Sequence, residues 1–241
     1  MKRHFTIFLF CFSFLAVVAQ PGRDETLAVS YMQNGEFDKA AELYQSLWEK
    51  NNNDIKFYQS LYKCLLTLKK FDELEKVVKK EVKKNNDAAQ YVVDLGYLYS
   101  QMQNAEKAKE QFEKVLKDMK PNEISVRNTA AAFETYHLYD YEIAVYEKAG
   151  KMLHNDTYFS YDLAGAYLGK SDIGSAVKNF LFFMEANPQS TQNIKNIIQT
   201  SRDETKLLDE MEIQLYAKVQ KNPANEDYID LLTWVYIQNK D

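Results

Sequence analysis

Glycine and proline are scarce, 7 and 4 in 241 residues. A β-sandwich or barrel of this length needs far more turn residues, so the composition excludes an all-β fold and predicts mostly helix. Arginine is rarer than lysine, 4 against 26, and acidic side chains outnumber basic ones 35 to 30. That balance argues against nucleic acid as the ligand. Two cysteines, Cys11 and Cys64, cannot make a disulfide framework. The three histidines, His4, His137 and His154, have neither HExxH spacing nor a companion cysteine, so no metal site is expected. Gly-x-Ser-x-Gly and Cys-x-x-Cys are both absent. The stretch ending Gly169-Lys170-Ser171 has three residues between its glycines, where a phosphate loop has four. No catalytic residue and no cofactor are therefore predicted. What is present, 46% hydrophobic and 27% charged residues, suits a folded chain.

The chain opens with the basic Met1-Lys2-Arg3-His4, followed by a 14-residue apolar run from Phe5 to Val18. Val17-Val18-Ala19 then supplies small or modest residues before a cut at Gln20. Residues 1–19 thus follow the three-part plan of a secretory signal peptide. The run is shorter than the ~20 residues a spanning helix needs, and no transmembrane span is expected in the mature chain. Phe10 precedes Cys11 where a lipoprotein cut wants a small residue, so no lipid anchor is expected. Loss of Lys2 and Arg3 leaves 28 basic and 35 acidic side chains, a formal charge of −7. Cys64 is then the lone thiol and is expected to be buried and inert.

Similar segments recur along the rest. Asp94-Leu95-Gly96-Tyr97-Leu98-Tyr99, with Ala108 and Phe112 after it, is echoed by Asp162-Leu163-Ala164-Gly165-Ala166-Tyr167, with Ala176 and Phe180. Leu27, Leu95 and Leu163 stand 68 residues apart, twice 34. A frame of 34 gives units 21–54, 55–88, 89–122, 123–156, 157–190 and a divergent 191–224, then a first helix alone over 226–241. Pro21, Pro121, Pro188 and Pro223 all fall at unit junctions. Apolar residues recur at i, i+4 and i+7 within each unit, and Asn34-Gly35-Glu36 and Lys170-Ser171-Asp172 read as tight turns, so each unit is a helix pair. Small residues recur at frame position 8 (Ala28, Gly96, Ala130, Ala164) and position 20 (Ala40, Ala108, Ala176), where paired helices approach closely. Unit four breaks the second set with Glu142, although Ala144 offers a register two residues along. Glu73, Glu75, Glu106, Glu110 and Glu113 alternate with lysines as solvated helix faces, as do Lys76, Lys79, Lys80, Lys83 and Lys84.

This pattern, with its small and aromatic positions and proline near position 32, resembles the tetratricopeptide repeat. Together with the signal peptide it resembles the exported tetratricopeptide-repeat proteins of Bacteroidota. The resemblance implies an all-α fold: an α-solenoid of about six and a half stacked helix-turn-helix pairs forming a right-handed superhelix. It also implies a concave groove lined by the first helix of each pair. The residues it places there include Lys56, Gln59, Lys63, Tyr97, Arg127, Tyr158, Tyr161, Gly165, Lys195, Gln199 and Trp234. Aromatic faces with a few cations suit a protein or peptide segment, and packing between repeats is the alternative for each aromatic. The implied function is a non-catalytic scaffold for protein–protein interaction, exported to the periplasm or peripherally associated with the outer membrane. The alternatives are a glycan- or nutrient-binding outer-membrane component with similar helices, or the N-terminal interaction region of a longer enzyme. The apolar last helix, with Leu231, Leu232, Trp234, Val235 and Tyr236, reads as part of a longer array rather than as a capping helix.

Overall fold

Helix formation follows from where the apolar side chains fall. On α2 (Phe37–Lys50), Ala40, Ala41, Tyr44, Leu47 and Trp48 share one buried stripe. Asp38, Lys39, Glu42 and Glu49 lie on the exposed side. Such a stripe is stable only when another helix covers it. A computed structural model of the chain describes residues 21–239, and the expected signal peptide lies outside them. The described residues form helices and connecting turns without a strand. No helix among them is long and apolar enough to cross a membrane.

The helices come as pairs. α1 (Pro21–Gln33) precedes α2, and α3 (Ile55–Thr67) precedes α4 (Phe71–Lys84). α5 (Ala89–Gln101) and α6 (Ala105–Asp118) follow, then α7 (Glu123–Glu134) and α8 (Tyr139–Met152), and α9 (Ser160–Gly169) and α10 (Ile173–Ala186). A short 3-10 turn, Pro188–Ser190, leads into α11 (Thr191–Thr200), α12 (Glu204–Lys221) and α13 (Glu226–Gln238).

The first five pairs close in the same way. Gly35, Lys69, Gln103, His137 and Ser171, each 34 residues from the next, all adopt left-handed φ between 55° and 75°. The following N–H of each reaches back five residues: Glu36 to Tyr31 at 2.9 Å, Lys70 to Leu65 at 3.0 Å, Asn104 to Tyr99 at 2.9 Å, Leu138 to Phe133 at 3.1 Å and Asp172 to Tyr167 at 2.9 Å. This is the Schellman closure, which satisfies carbonyls orphaned at a helix end. The next helix starts two residues later, on the side-chain oxygen of Asn104 at α6 and of Asp172 at α10. The sixth turn differs. α12 begins at Glu204, three residues early relative to the interval of 34 set by Phe37, Phe71, Ala105, Tyr139 and Ile173. There Ser201 N–H donates to the Ile198 carbonyl at 3.1 Å and Asp203 N–H to Ser201 Oγ at 3.1 Å.

The chain divides into two compact units within α4, between Val77 and Val78. In the N-terminal unit α2 packs on α1 and α3, and its core holds Ala28, Ala40, Tyr44, Leu47, Tyr58, Leu61, Cys64 and Leu65. Burial raises the Cys64 thiol to about 11, which leaves it protonated and unreactive at neutral pH.

In the C-terminal unit α5 packs on α6 and α7, α8 on α7 and α9, α10 on α9 and α12, and α12 on α11 and α13. Phe112 meets Phe133 and Tyr141 with ring centroids 5.7 and 4.9 Å away. Gly96 is what admits Phe112, since an added Cβ would sit 2.4 Å from the Phe112 ring. Beyond α10 the core turns aliphatic, with Ile194, Ile198, Leu207, Met211, Leu215, Leu231 and Val235 all buried. The divergent unit thus keeps its apolar spacing and contributes no aromatic of its own to this core, which Phe180, Tyr228 and Trp234 border from the neighbouring helices.

Ala40, Ala108 and Ala176 are buried where the sequence places close contact between paired helices. In the fourth pair Glu142 itself occupies that place and is 5% exposed. Ala144, the alternative register, is only half-buried.

Candidate binding surface

Two first helices of the C-terminal unit, α7 and α9, are bridged through polar residues. On α7, Arg127 pairs with Glu123 one turn earlier, Nε to Oε1 at 3.0 Å, and its Nη1 with Oδ1 of Asp162 on α9. Tyr158, just before α9, donates to the other Glu123 oxygen at 3.2 Å, and the Arg127 guanidinium lies 5.8 Å from the Phe159 ring centre. The hydrogen bonds from Arg127 and then Tyr158 hold the Glu123 carboxyl below its ordinary value. Arg127 is therefore partly committed to holding α7 against α9. Tyr158 and Tyr161 remain 49% and 45% exposed, so a ligand can reach both. Tyr161 leans on Phe183, centroids 5.0 Å apart.

The other expected groove residues form separate groups. Tyr97 on α5 stacks on Tyr136 at 4.0 Å. Tyr136 donates at 2.6 Å to buried Asp94, which also accepts from Gln90 at 2.7 Å. One face of Tyr97 is thus used in packing. Lys195 on α11 lies over Trp234 of α13, 5.4 Å from its ring centroid, and Gln199 bonds Gln238 at 3.2 Å. Trp234 is half-buried against the aliphatic core. In the N-terminal unit Lys56, Gln59 and Lys63 are exposed on α3, and Lys56 is paired with Glu25 at 3.0 Å and Asp54 at 3.5 Å.

A cleft that the repeat spacing does not announce lies beside Tyr161. It has a volume of about 280 Å³ and is lined by Glu134, Tyr139, Glu142, Tyr146, Tyr161, Asp162, Gly165, Ala166 and Gly169. Two glycines open its α9 wall. At Gly165 an added Cβ would meet nothing within 4 Å, whereas at Gly169 it would sit 2.3 Å from the Tyr139 ring. Glu142 Oε2 is buried and makes no hydrogen bond with the protein. Burial raises the Glu142 carboxyl to about 7, and the negative charges of Glu134 and Asp162 push the same way. Burial likewise raises the Tyr146 phenol. The signal in the sequence was the misfit itself: a glutamate where the first, third and fifth pairs carry alanine and the second carries Leu74.

A larger recess of about 670 Å³ lies where α5 and α7 begin, with Asp87, Lys114, Met119 and Ile124 in its wall. Lys114 and Asp87 pair there at 2.8 Å.

Residues 26–51 match the tetratricopeptide repeat family. No curated protein matches the chain. Among solved structures it is similar to a crystal structure of the MamA protein, at 17% identity over 71% of this chain and 94% of that one, with a TM-score of 0.35. It is also similar to a tetratricopeptide repeat protein from Parabacteroides merdae, at 15% identity over 92% and 86% of the two chains, TM-score 0.39. A thermophilic repeat protein of the same kind in Thermus thermophilus shares 14% identity over 90% and 100%, TM-score 0.37.

Proposed function

We propose that this chain, a tetratricopeptide-repeat protein, holds a segment of a polypeptide partner along the first helices of its C-terminal unit and performs no chemistry on it. The observation that carries this reading is the group around α9. Tyr158 and Tyr161 are both about half exposed, and Gly165 nearby leaves open space where another residue would project a side chain. Half-exposed tyrosines beside an unfilled depression are what a bound segment covers with most gain, because each offers a rigid apolar face and a polar tip at small entropic cost. The lysine over Trp234 offers a second, similar patch.

Export belongs to the same proposal. It is supported by the plan of residues 1–19, a basic start, a 14-residue apolar run and small residues before the cut. The resemblance to exported proteins of Bacteroidota supports the periplasm or, peripherally, the outer membrane as the proposed place of action.

The double variant Tyr158→Ser, Tyr161→Ser tests this reading. If the tyrosines anchor the partner, the variant loses about 10- to 100-fold in affinity for whatever the unaltered chain retains from periplasmic extract, since an anchor residue contributes ~1–3 kcal/mol. Its melting temperature should stay close to the parent's. Undiminished retention by a folded double variant contradicts the proposal.

A further inference from the structure

Position 20 of a helix pair is where the two helices touch, and three pairs fill it with alanine. A glutamate there must leave its carboxylate in a space sized for a methyl group or turn it into a neighbouring cavity. Glu142 lines the cleft between α8 and α9, and its Oε2 is buried without a hydrogen bond. An unpaired buried carboxylate is costly to keep, and its cost falls once a cation is placed against it.

The surroundings specify the kind of cation. Glu134 from α7 and Asp162 from α9 share the cleft, and only Asp162 is matched by an arginine, Arg127. Ionisation of Glu142 therefore leaves two carboxylates in the cleft without a cationic partner. Tyr139 and Tyr146 of α8 and Tyr161 of α9 add three aromatic rings to the lining. Carboxylates beside aromatic faces attract an ammonium or guanidinium group through charge and through the ring quadrupoles. Among the described residues no group of three or more His, Cys, Asp or Glu side chains could hold a metal ion. The volume of about 280 Å³ suits one side chain rather than a folded ligand. Half-exposed Tyr161 and Gly165, with open space where a Cβ would stand, both line the cleft.

We infer that the cleft at Glu142 receives an organic cation on an alkyl stem, namely a lysine or arginine side chain carried by the bound segment. This rests on the groove reading and sharpens it, because the partner then has to place a basic residue opposite α9. The ion pair forms with ionised Glu142. Binding is therefore linked to its deprotonation, and the groups that bear on that step are Glu134, Asp162, Arg127 and Tyr146.

Small cations test the cleft without any partner. The mature chain, labelled with 15N and with 13C at glutamate carboxyls, is titrated with n-butylammonium and with n-propylguanidinium, mimics of the lysine and arginine ends. At about pH 8 the amides of Gly165 and Gly169 are expected to shift saturably. The affinity should fall about tenfold at about pH 5.5 and by a similar factor in Glu142→Gln. Saturating cation should lower the Glu142 titration by about one unit, the linked counterpart of a tenfold preference. The stronger of the two cations identifies the residue type. Equal shifts from 1-pentanol, equal affinity in Glu142→Gln, or no shift at those glycines would each overturn the inference. Because no partner is present, failure here alongside a Tyr158/Tyr161 variant that still loses its partner removes the cation pocket and leaves the groove.

Discussion

Replacing Lys69, Gln103, His137 and Ser171 together by glycine is expected to stabilise the chain by about 2–4 kcal/mol, or ~0.5–1 kcal/mol at each site. All four hold left-handed backbone, with φ of 57°, 60°, 55° and 64°. A side chain in that region crowds its own carbonyl and costs about 1–2 kcal/mol, whereas glycine pays no such penalty. Glycine's greater freedom in the unfolded chain returns ~0.4–1 kcal/mol of that gain, so the net benefit is smaller than the strain relieved. His137→Gly should gain least, because it also removes the 2.9 Å contact between His137 Nδ1 and the Tyr139 hydroxyl. Urea unfolding of the four single variants and the combined one checks this. An unchanged or lowered midpoint would show that these turns are not held by the Schellman closure. Gly35 already carries the preferred residue, so Gly35→Val should move stability the opposite way.

Those turns mark where the sequence was legible and where it was not. Gly35 announces its turn, because glycine at the end of an amphipathic stripe is a helix stop. Lys69, Gln103 and His137 announce nothing, since the backbone there is fixed by paired helices that leave no other way to close. The all-α helix-pair fold was readable because buried positions such as Ala40, Tyr44 and Leu47 keep helical spacing, and spacing survives changes of side chain. The early start of α12 was not readable. Ser201 and Asp203 close that turn through a side chain, and the aliphatic core around Ile198 and Met211 accepts the shift. For the binding surface, the sequence could place Arg127 and Tyr161 on first helices, whereas Tyr158, expected there too, lies in the turn before α9. It could not tell that Arg127 would be tied to Asp162, nor that Tyr97 would be half covered by Tyr136, because both depend on contacts between neighbouring pairs. Glu142 was visible only as a break in a series of alanines.

Glu142→Gln is expected to stabilise the protein by about 2–3 kcal/mol above pH 7 and to leave it nearly unchanged below pH 4.5. The carboxyl sits near 7 in the folded chain against an ordinary value of 4.5, because burial disfavours its charge. Between those values the folded chain holds a proton that the unfolded chain has released. The stability this contributes is fully present below the ordinary value and disappears as pH rises through the folded one. The amide of glutamine never ionises, so the variant escapes that loss. Thermal melts of both proteins from pH 4 to pH 8.5 should therefore diverge with rising pH, with the variant higher. Parallel profiles would show that Glu142 ionises in the folded chain as readily as in water. A destabilised variant at every pH would show that the carboxylate has a partner after all. A natural chain that keeps a destabilising carboxylate when glutamine or alanine would fit is consistent with a ligand that needs the charge.

Photo-crosslinking locates the partner segment most directly. A benzophenone amino acid is placed at Tyr161 or at Gln199 on first helices, and separately at Lys109 or at Lys178 on the exposed sides of second helices. Irradiation of the protein in cells should yield the same adduct from Tyr161 and Gln199, with the attached peptide carrying a lysine or arginine near the Tyr161 crosslink. Lys109 and Lys178 should yield none. Adducts from Lys109 or Lys178 with none from Tyr161 would place the partner on the opposite side of the helix pairs and contradict the binding face proposed for α7 and α9.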